Sequence, residues 1–214
     1  MATSLMQFLG LTSICCLLLS CQTPKALQPL SNGQKITISQ KDFKPVLKDK
    51  ATSYLFKTTL TFGKKVQQGG LLALKKSSDQ HYRAIFMTKF GLTLFDFEFG
   101  AQGFVVHKAL EQVNKPILLQ VIRQDLELLL ARNMIGQSAK VFEKGRLINK
   151  KRILKLRKGG KPLFYVQGLH RRLTGIYKAR GVSIELSKYL LGVPRSIDIQ
   201  HHKVPLRLQL SFLK

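Results

Sequence analysis

The sequence predicts a mainly β, α+β domain: an antiparallel sheet of about ten to eleven strands curled around a hydrophobic interior, with one central helix. Three observations predict it. Short runs with period-two apolar alternation recur from residue 54 to the end. Turns between several of them carry glycine, as in "KGGKP" and "ARGV". Only one segment, residues 115–132, has a helical period. No repeat of fixed length is visible, which excludes a propeller or a solenoid.

Taken in order, "YLFKTTLTF" places Tyr54, Phe56, Thr58, Leu60 and Phe62 on one face and Lys57, Thr59 and Thr61 on the other. "GKKVQQGG" reads as a turn before "LLALKK", which holds Leu72 and Leu74. "HYRAIFMTKF" and "GLTLFDFEF" form a hairpin through Lys89, Phe90 and Gly91; Phe86 lies on its first strand. On the second strand Phe95, Phe97 and Phe99 share one face, Asp96 and Glu98 the other. "GFVVHK" is a further short strand. In the helix Asn114 is the expected N-cap and Pro116 fits the first turn. Ile117, Leu118, Val121, Ile122, Asp125, Leu128 and Leu129 fall near one stripe, with Asp125 its discordant member. Strands return in "AKVFEKG", "RILKLRKG", "PLFYVQG", "LTGIYKA", "VSIELSKY", "SIDIQHH" and "PLRLQLSFLK".

Composition narrows the function classes. The chain has 214 residues, 44% hydrophobic and 22% charged, which excludes a disordered chain. All three cysteines lie within the first 21 residues, so the domain has no disulfide framework or cysteine-rich zinc module. No apolar run after residue 21 approaches the ~20 residues that span a bilayer. Residues 1–20 carry no charged side chain and are dominated by Leu, Ile, Phe, Met and Cys, the layout of a signal peptide. Residues 21–33, with two prolines and Ser31-Asn32-Gly33, read as a tether, and residues 34–214 as the domain.

Catalytic groupings are not evident, and no cofactor or metal is expected. His201 and His202 are adjacent on a strand and point to opposite faces. His81, His107 and His170 have no acidic or cysteine partner at ligand spacing. Asp96 and Glu98 share a face and suit either salt bridges or acid–base work. "RKGGKP" lacks the phosphate-loop pattern.

Charge is uneven. Against a net charge of +25, residues 1–143 hold 18 basic and 9 acidic residues, and residues 144–214 hold 18 and 2. The densest run includes Lys150, Lys151, Arg152, Lys155, Arg157 and Lys158. Alternation places Lys151, Ile153, Lys155 and Arg157 on one face, read as solvated, with Arg152, Leu154, Leu156 and Lys158 on the other. Such a surface suits an acidic carrier, anionic headgroups or an anionic polymer. The export leader and the lack of a recognisable module argue against nucleic acid.

Two resemblances extend this. Leu18-Leu19-Ser20-Cys21 resembles the lipobox of bacterial lipoproteins, which implies that Cys21 is lipidated and becomes the first mature residue. Residues 82–132 resemble the lipoprotein-localisation factor LolB and its soluble relative LolA. The match runs from Tyr82-Arg83 to Thr88 and Gly91, then through Val105 and Val106 to a helix carrying Leu118, Val121 and Leu128. Pro194 followed by "SIDIQ" and "LRLQLSFL" agrees at the C-terminal end.

The LolB resemblance implies an unclosed β-barrel, helices over its mouth and an apolar cavity for acyl chains. It implies a monomeric, non-enzymatic lipoprotein anchored in the outer membrane and facing the periplasm. Its partners would be a soluble LolA-like carrier, client lipoproteins and outer-membrane phospholipid. Tyr54, Phe56, Leu60, Phe62, Leu72, Leu74, Phe86, Phe95, Phe97 and Phe99 are the acyl-chain candidates; each either lines a cavity or fills a dry core. Lys89-Phe90-Gly91 stands where enteric relatives carry Pro-Leu-Gly, which implies a membrane-insertion loop. Phe90 either enters lipid there or folds back into the core. A structural or lipid-binding envelope lipoprotein without transfer activity is the alternative.

Overall fold

The computed structural model describes residues 33–47, 53–63, 66–78, 80–111, 113–132, 134–144, 150–179 and 181–214; the leader, Cys21 and nearly all of the tether lie outside them. In chain order the strands are β1 (Gln34–Thr37), β2 (Ser53–Phe62), β3 (Val66–Lys76), β4 (Tyr82–Thr88), β5 (Thr93–Gly100) and β6 (Gly103–Ala109). The helix α1 (Pro116–Leu130) follows, then β7 (Ser138–Lys144), β8 (Lys151–Lys158) and β9 (Lys161–Gln167). A single turn of 3₁₀ helix (Leu169–Arg171) precedes β10 (Leu173–Lys178), β11 (Val182–Leu190), β12 (Val193–His201) and β13 (Leu206–Phe212).

The strands form one antiparallel sheet in the order β1-β7-β8-β9-β10-β11-β12-β13-β2-β3-β4-β5-β6. Most neighbours are consecutive hairpins; β13 beside β2 joins the two ends of the domain, with Leu206 opposite Phe62 and Phe212 opposite Phe56. β1 and β6 are the two edges, so the sheet is unclosed. Thirteen strands stand where about ten to eleven were expected. β1 is four residues long, too short to show alternation. The "QQGG" stretch, read as a turn, belongs to β3. A Cβ on Gly70 would meet the Met87 carbonyl oxygen at 2.0 Å and the Phe86 ring at 2.7 Å. Glycine there admits a close backbone approach within the strand.

Pro116 is the first helical residue, and Lys115 occupies the N-cap in an extended conformation (φ −105°, ψ 124°) without a side-chain cap. The expected cap, Asn114, is one residue too early. Proline disfavours helical backbone in the residue before it, so Lys115 must be the boundary. The helix packs Leu118, Ile122, Leu126, Leu128, Leu129 and Leu130 onto the inner face of the sheet. Ile117, assigned to the buried stripe, is instead 74% exposed: Leu118 in the same turn takes the inward direction, and its sequence neighbour is rotated about 100° away from it. Residues 38–47 lie over the same core through Ile38, Phe43, Val46 and Leu47, with Phe43 edge-to-face on Tyr165 at 5.5 Å.

Candidate functional site

The β4–β5 turn is built by Thr88. Its Oγ1 accepts hydrogen bonds from the backbone N–H groups of Phe90 (3.3 Å) and Leu92 (3.2 Å), while Gly91 turns the chain at φ +78°. Phe90 is 89% exposed, and Leu92 beside it is also exposed. Phe90 therefore does not fold back into the core. The Lys89 side chain runs over Gly69 on β3, where an added Cβ would lie 3.0 Å from its Cε.

Behind the turn, period-two alternation holds across the sheet. Tyr54, Phe56, Leu60, Leu72, Leu74, Phe86, Phe95, Phe97 and Phe99 converge on one core, none more than 5% exposed. Phe95 lies 5.6 Å from Phe86 and stacks on Phe97 at 4.4 Å. Phe62, the last residue of β2, departs from this group at 38% exposure. Open volume lies elsewhere: a cavity of about 620 Å³ borders the C-terminal end of α1, lined by Phe43, Tyr82, Leu130, Arg132 and Met134 among others. No acyl-chain candidate lines it. Tyr82 has the right parity on its strand, but Phe43 and Met134 lie in aperiodic segments and carried no signal. Arg132 closes one side, donating to the carbonyls of Gln80 and Gly100 with its guanidinium 5.6 Å from the Phe99 ring.

Asp125, the discordant helix residue, faces this apolar interior and is 1% exposed. Its Oδ2 pairs with His201 Nε2 on β12 at 2.7 Å, while Oδ1 has no hydrogen-bond partner. Burial pushes its carboxyl above the usual range, against the pull of His201.

The fold, rather than any of these side chains, is what a solved structure shares. No family model and no curated protein matches the sequence. A LolA superfamily protein from Nitrosomonas europaea aligns over 81% of this chain and 87% of its own, with a TM-score of 0.53 and 10% identity. The chain has the LolA-like fold. A domain from Vibrio parahaemolyticus assigned to outer membrane lipoprotein sorting aligns over 76% of this chain and 83% of its own, at a TM-score of 0.45 and 6% identity.

In the LolA-like sheet the basic run divides between the two faces, with Arg152 and Lys158 on the inward parity of Leu154 and Leu156. Arg152 is structural: it donates to the Asp42 carbonyl (3.0 Å), the Asp42 carboxylate (2.8 Å) and Gln167 Oε1 (3.2 Å), fastening residues 38–47 over the core. Hydrogen bonds from Ser39, then Arg152, hold the Asp42 carboxyl down at about 2. Lys150 pairs with Glu143 at 2.6 Å and Lys158 with Glu127 at 3.7 Å; Lys151 and Arg157 are exposed. The face expected to be solvated is partly dry. Ile153 is buried in a second cluster with Phe142, Phe164 and Val166, and Lys155 Nζ sits 5.7 Å from the Phe164 ring. These apolar residues come from three strands and cover one another, which one strand's pattern does not reveal. Register also sets Lys35, Lys140 and Lys155 side by side across β1, β7 and β8.

Asp96 and Glu98 act as ion-pair acceptors. Arg83 grips Asp96 through two hydrogen bonds of 2.9 and 2.8 Å. Glu98 bridges His81 (2.8 Å) and His107 (2.6 Å), which lower its carboxyl pKa. These histidines do have an acidic partner, brought to them by strand pairing. Among the described residues no group of His, Cys, Asp and Glu could hold a metal ion, and no helix is long and apolar enough to cross a membrane.

Proposed function

We propose that the protein is a membrane-anchored, non-enzymatic lipoprotein that accepts lipidated proteins from a soluble periplasmic carrier and inserts them into the outer membrane. Cys21 is the anchor in this reading, and client acyl chains enter the apolar interior between the sheet and α1. The observation that carries it is the Phe90 turn. A solvent-facing phenylalanine crowns a hairpin whose own strands supply Phe86, Phe95 and Phe97 to the core. An acyl chain leaving the interior along this hairpin would move over apolar surface to an apolar tip, and the tip is more stable in lipid than in water.

The cavity of about 620 Å³ is within the range of small-molecule pockets and provides a first foothold for part of an acyl chain. Deeper entry requires α1 or residues 38–47 to move, since both cover the inner face. No bond is made or broken. The gradient is burial, at ~0.8 kcal/mol per methylene withdrawn from water. Exposed Lys151 and Arg157 suit the approach of an acidic carrier.

The test mixes acyl-loaded soluble carrier with this protein in outer-membrane-lipid vesicles and measures client transfer. Wild type transfers clients stoichiometrically. Phe90→Glu accepts them but fails to insert them, with an unchanged circular-dichroism spectrum. Undiminished insertion by Phe90→Glu would refute the role of the turn. Acyl binding without any delivery by wild type would instead favour a lipid-holding structural lipoprotein.

A further inference from the structure

A second apolar tip sits at the other end of the sheet. In the β11–β12 hairpin Leu190 pairs with Val193, leaving Leu191 and Gly192 as a two-residue loop. Both have positive φ, +48° and +84°. That is the I′ pattern, which favours Asn or Gly at its first position and penalises leucine sterically. Leu191 is also 95% exposed, so it bears a conformational and a solvation penalty together.

Its surroundings are chemically consistent. Leu190 (42% exposed) is adjacent, and Leu169 (61%) lies in the neighbouring β9–β10 turn at the same strand ends. Arg171, Arg172, Lys188 and Arg195 are exposed around them. Asp42, which bonds Arg171, is the one carboxylate paired with these cations among the described residues. The only acidic residues after position 143, Glu185 and Asp198, face each other mid-strand, where Asp198 is bound by Arg207. The platform is braced: Arg172 lies 5.6 Å from the Tyr189 ring, and Tyr189 donates to the Leu173 carbonyl, joining the two turns.

We infer that this end of the sheet is a docking surface for an anionic lipid bilayer, with Leu191, Leu190 and Leu169 entering the headgroup–acyl boundary and the four cations meeting lipid phosphates. Apolar tips ringed by Arg and Lys satisfy both halves of interfacial binding, whereas an acidic soluble protein would leave the leucines in water. The described chain also begins at this end, since Gln34 pairs with Val141 near the end of β7. Gly33, the last residue before β1, therefore lies at this end. Register followed from β12 through β13, β2 and β3 to β4 puts Phe90 at the opposite strand ends, so the two tips make separate contacts. Thirteen tether residues span up to ~45 Å, enough to let the domain rest on one end and present the other.

The chain contains no tryptophan, so Leu191→Trp introduces a single reporter. The full chain is placed in vesicles of phosphatidylcholine alone, or with phosphatidylglycerol, each with and without brominated lipid. The expected result is blue-shifted emission and bromine quenching in the anionic vesicles, both largely lost near ~1 M salt, where the Debye length is ~3 Å. Water-like emission in anionic vesicles overturns the inference. So does a blue shift that appears without lipid and grows with protein concentration, which would mark contact with a second copy. In a second variant Leu191→Asn is combined with Leu169→Trp. Asparagine suits the turn, so the urea midpoint holds or rises while quenching at position 169 falls; retained quenching would remove Leu191 from the surface.

Discussion

On β5, Phe95, Phe97 and Phe99 are fully buried against the core, while the residues between them, Asp96 and Glu98, hold Arg83, His81 and His107 on the opposite face. Neighbours in sequence thus obey different physics: inward positions answer to packing volume, outward ones to charge in a high-dielectric setting. β8 qualifies the contrast. There Leu154 and Leu156 face inward as expected, but outward Ile153 is also buried, under Phe142, Phe164 and Val166. An outer face is solvated only where no neighbouring strand supplies apolar cover, so the difference between the faces belongs to the sheet and not to the strand.

Mutations can break or sharpen this comparison. The largest effect is expected from Phe97→Ala, which leaves a cavity in the inner core and should destabilise by about 3–5 kcal/mol in urea unfolding. Ile153→Ala should cost about 2 kcal/mol, at the low end for such truncations because its small outer cluster can settle around the gap. A loss near zero would mean that the outer cluster adds nothing to stability. Third come two carboxylates of opposite sign. The raised pKa of Asp125 gives stability that is fully present below 3.8 and lost as pH rises through its elevated value. Measured against Asp125→Asn, wild type should therefore weaken progressively above pH 3.8. Asp42 behaves inversely: its contribution is present above 3.8 and disappears as pH falls toward about 2. The gap between wild type and Asp42→Asn should close over that interval. Smallest is Arg207→Met on the outer face. It breaks an exposed pair with Asp198 and should lower the unfolding free energy from urea titration by less than ~1 kcal/mol, and less still in high salt.

Much of the fold was legible because alternation is a local property. Side chains on a strand alternate whatever the strand pairs with, so nine of ten acyl-chain candidates share one core. The mainly β class, the helix and the β4–β5 turn follow from the same short-range rules. β1 escaped notice because four residues carry no period. In the site, Phe90 was identifiable as an exposed tip or a core residue, and only packing distinguished the two. Phe43 and Met134, which line the cavity, lie in irregular segments whose placement depends on what they cover. Arg152 looked like one cation in a basic run until Asp42, 110 residues away, was seen to bind it.

By itself the amino-acid sequence determined the parity of the longer strands, a helix beginning within one residue of Pro116 and the concentration of positive charge after Glu143. All three arise from covalent geometry and composition, which need no partner. Tertiary structure alone decided that β13 pairs with β2, that Asp125 meets His201, and that Leu191 stands at a rim of cations opposite the end that bears Phe90. Those outcomes join residues far apart in the chain, and their energies exist only after the sheet has assembled.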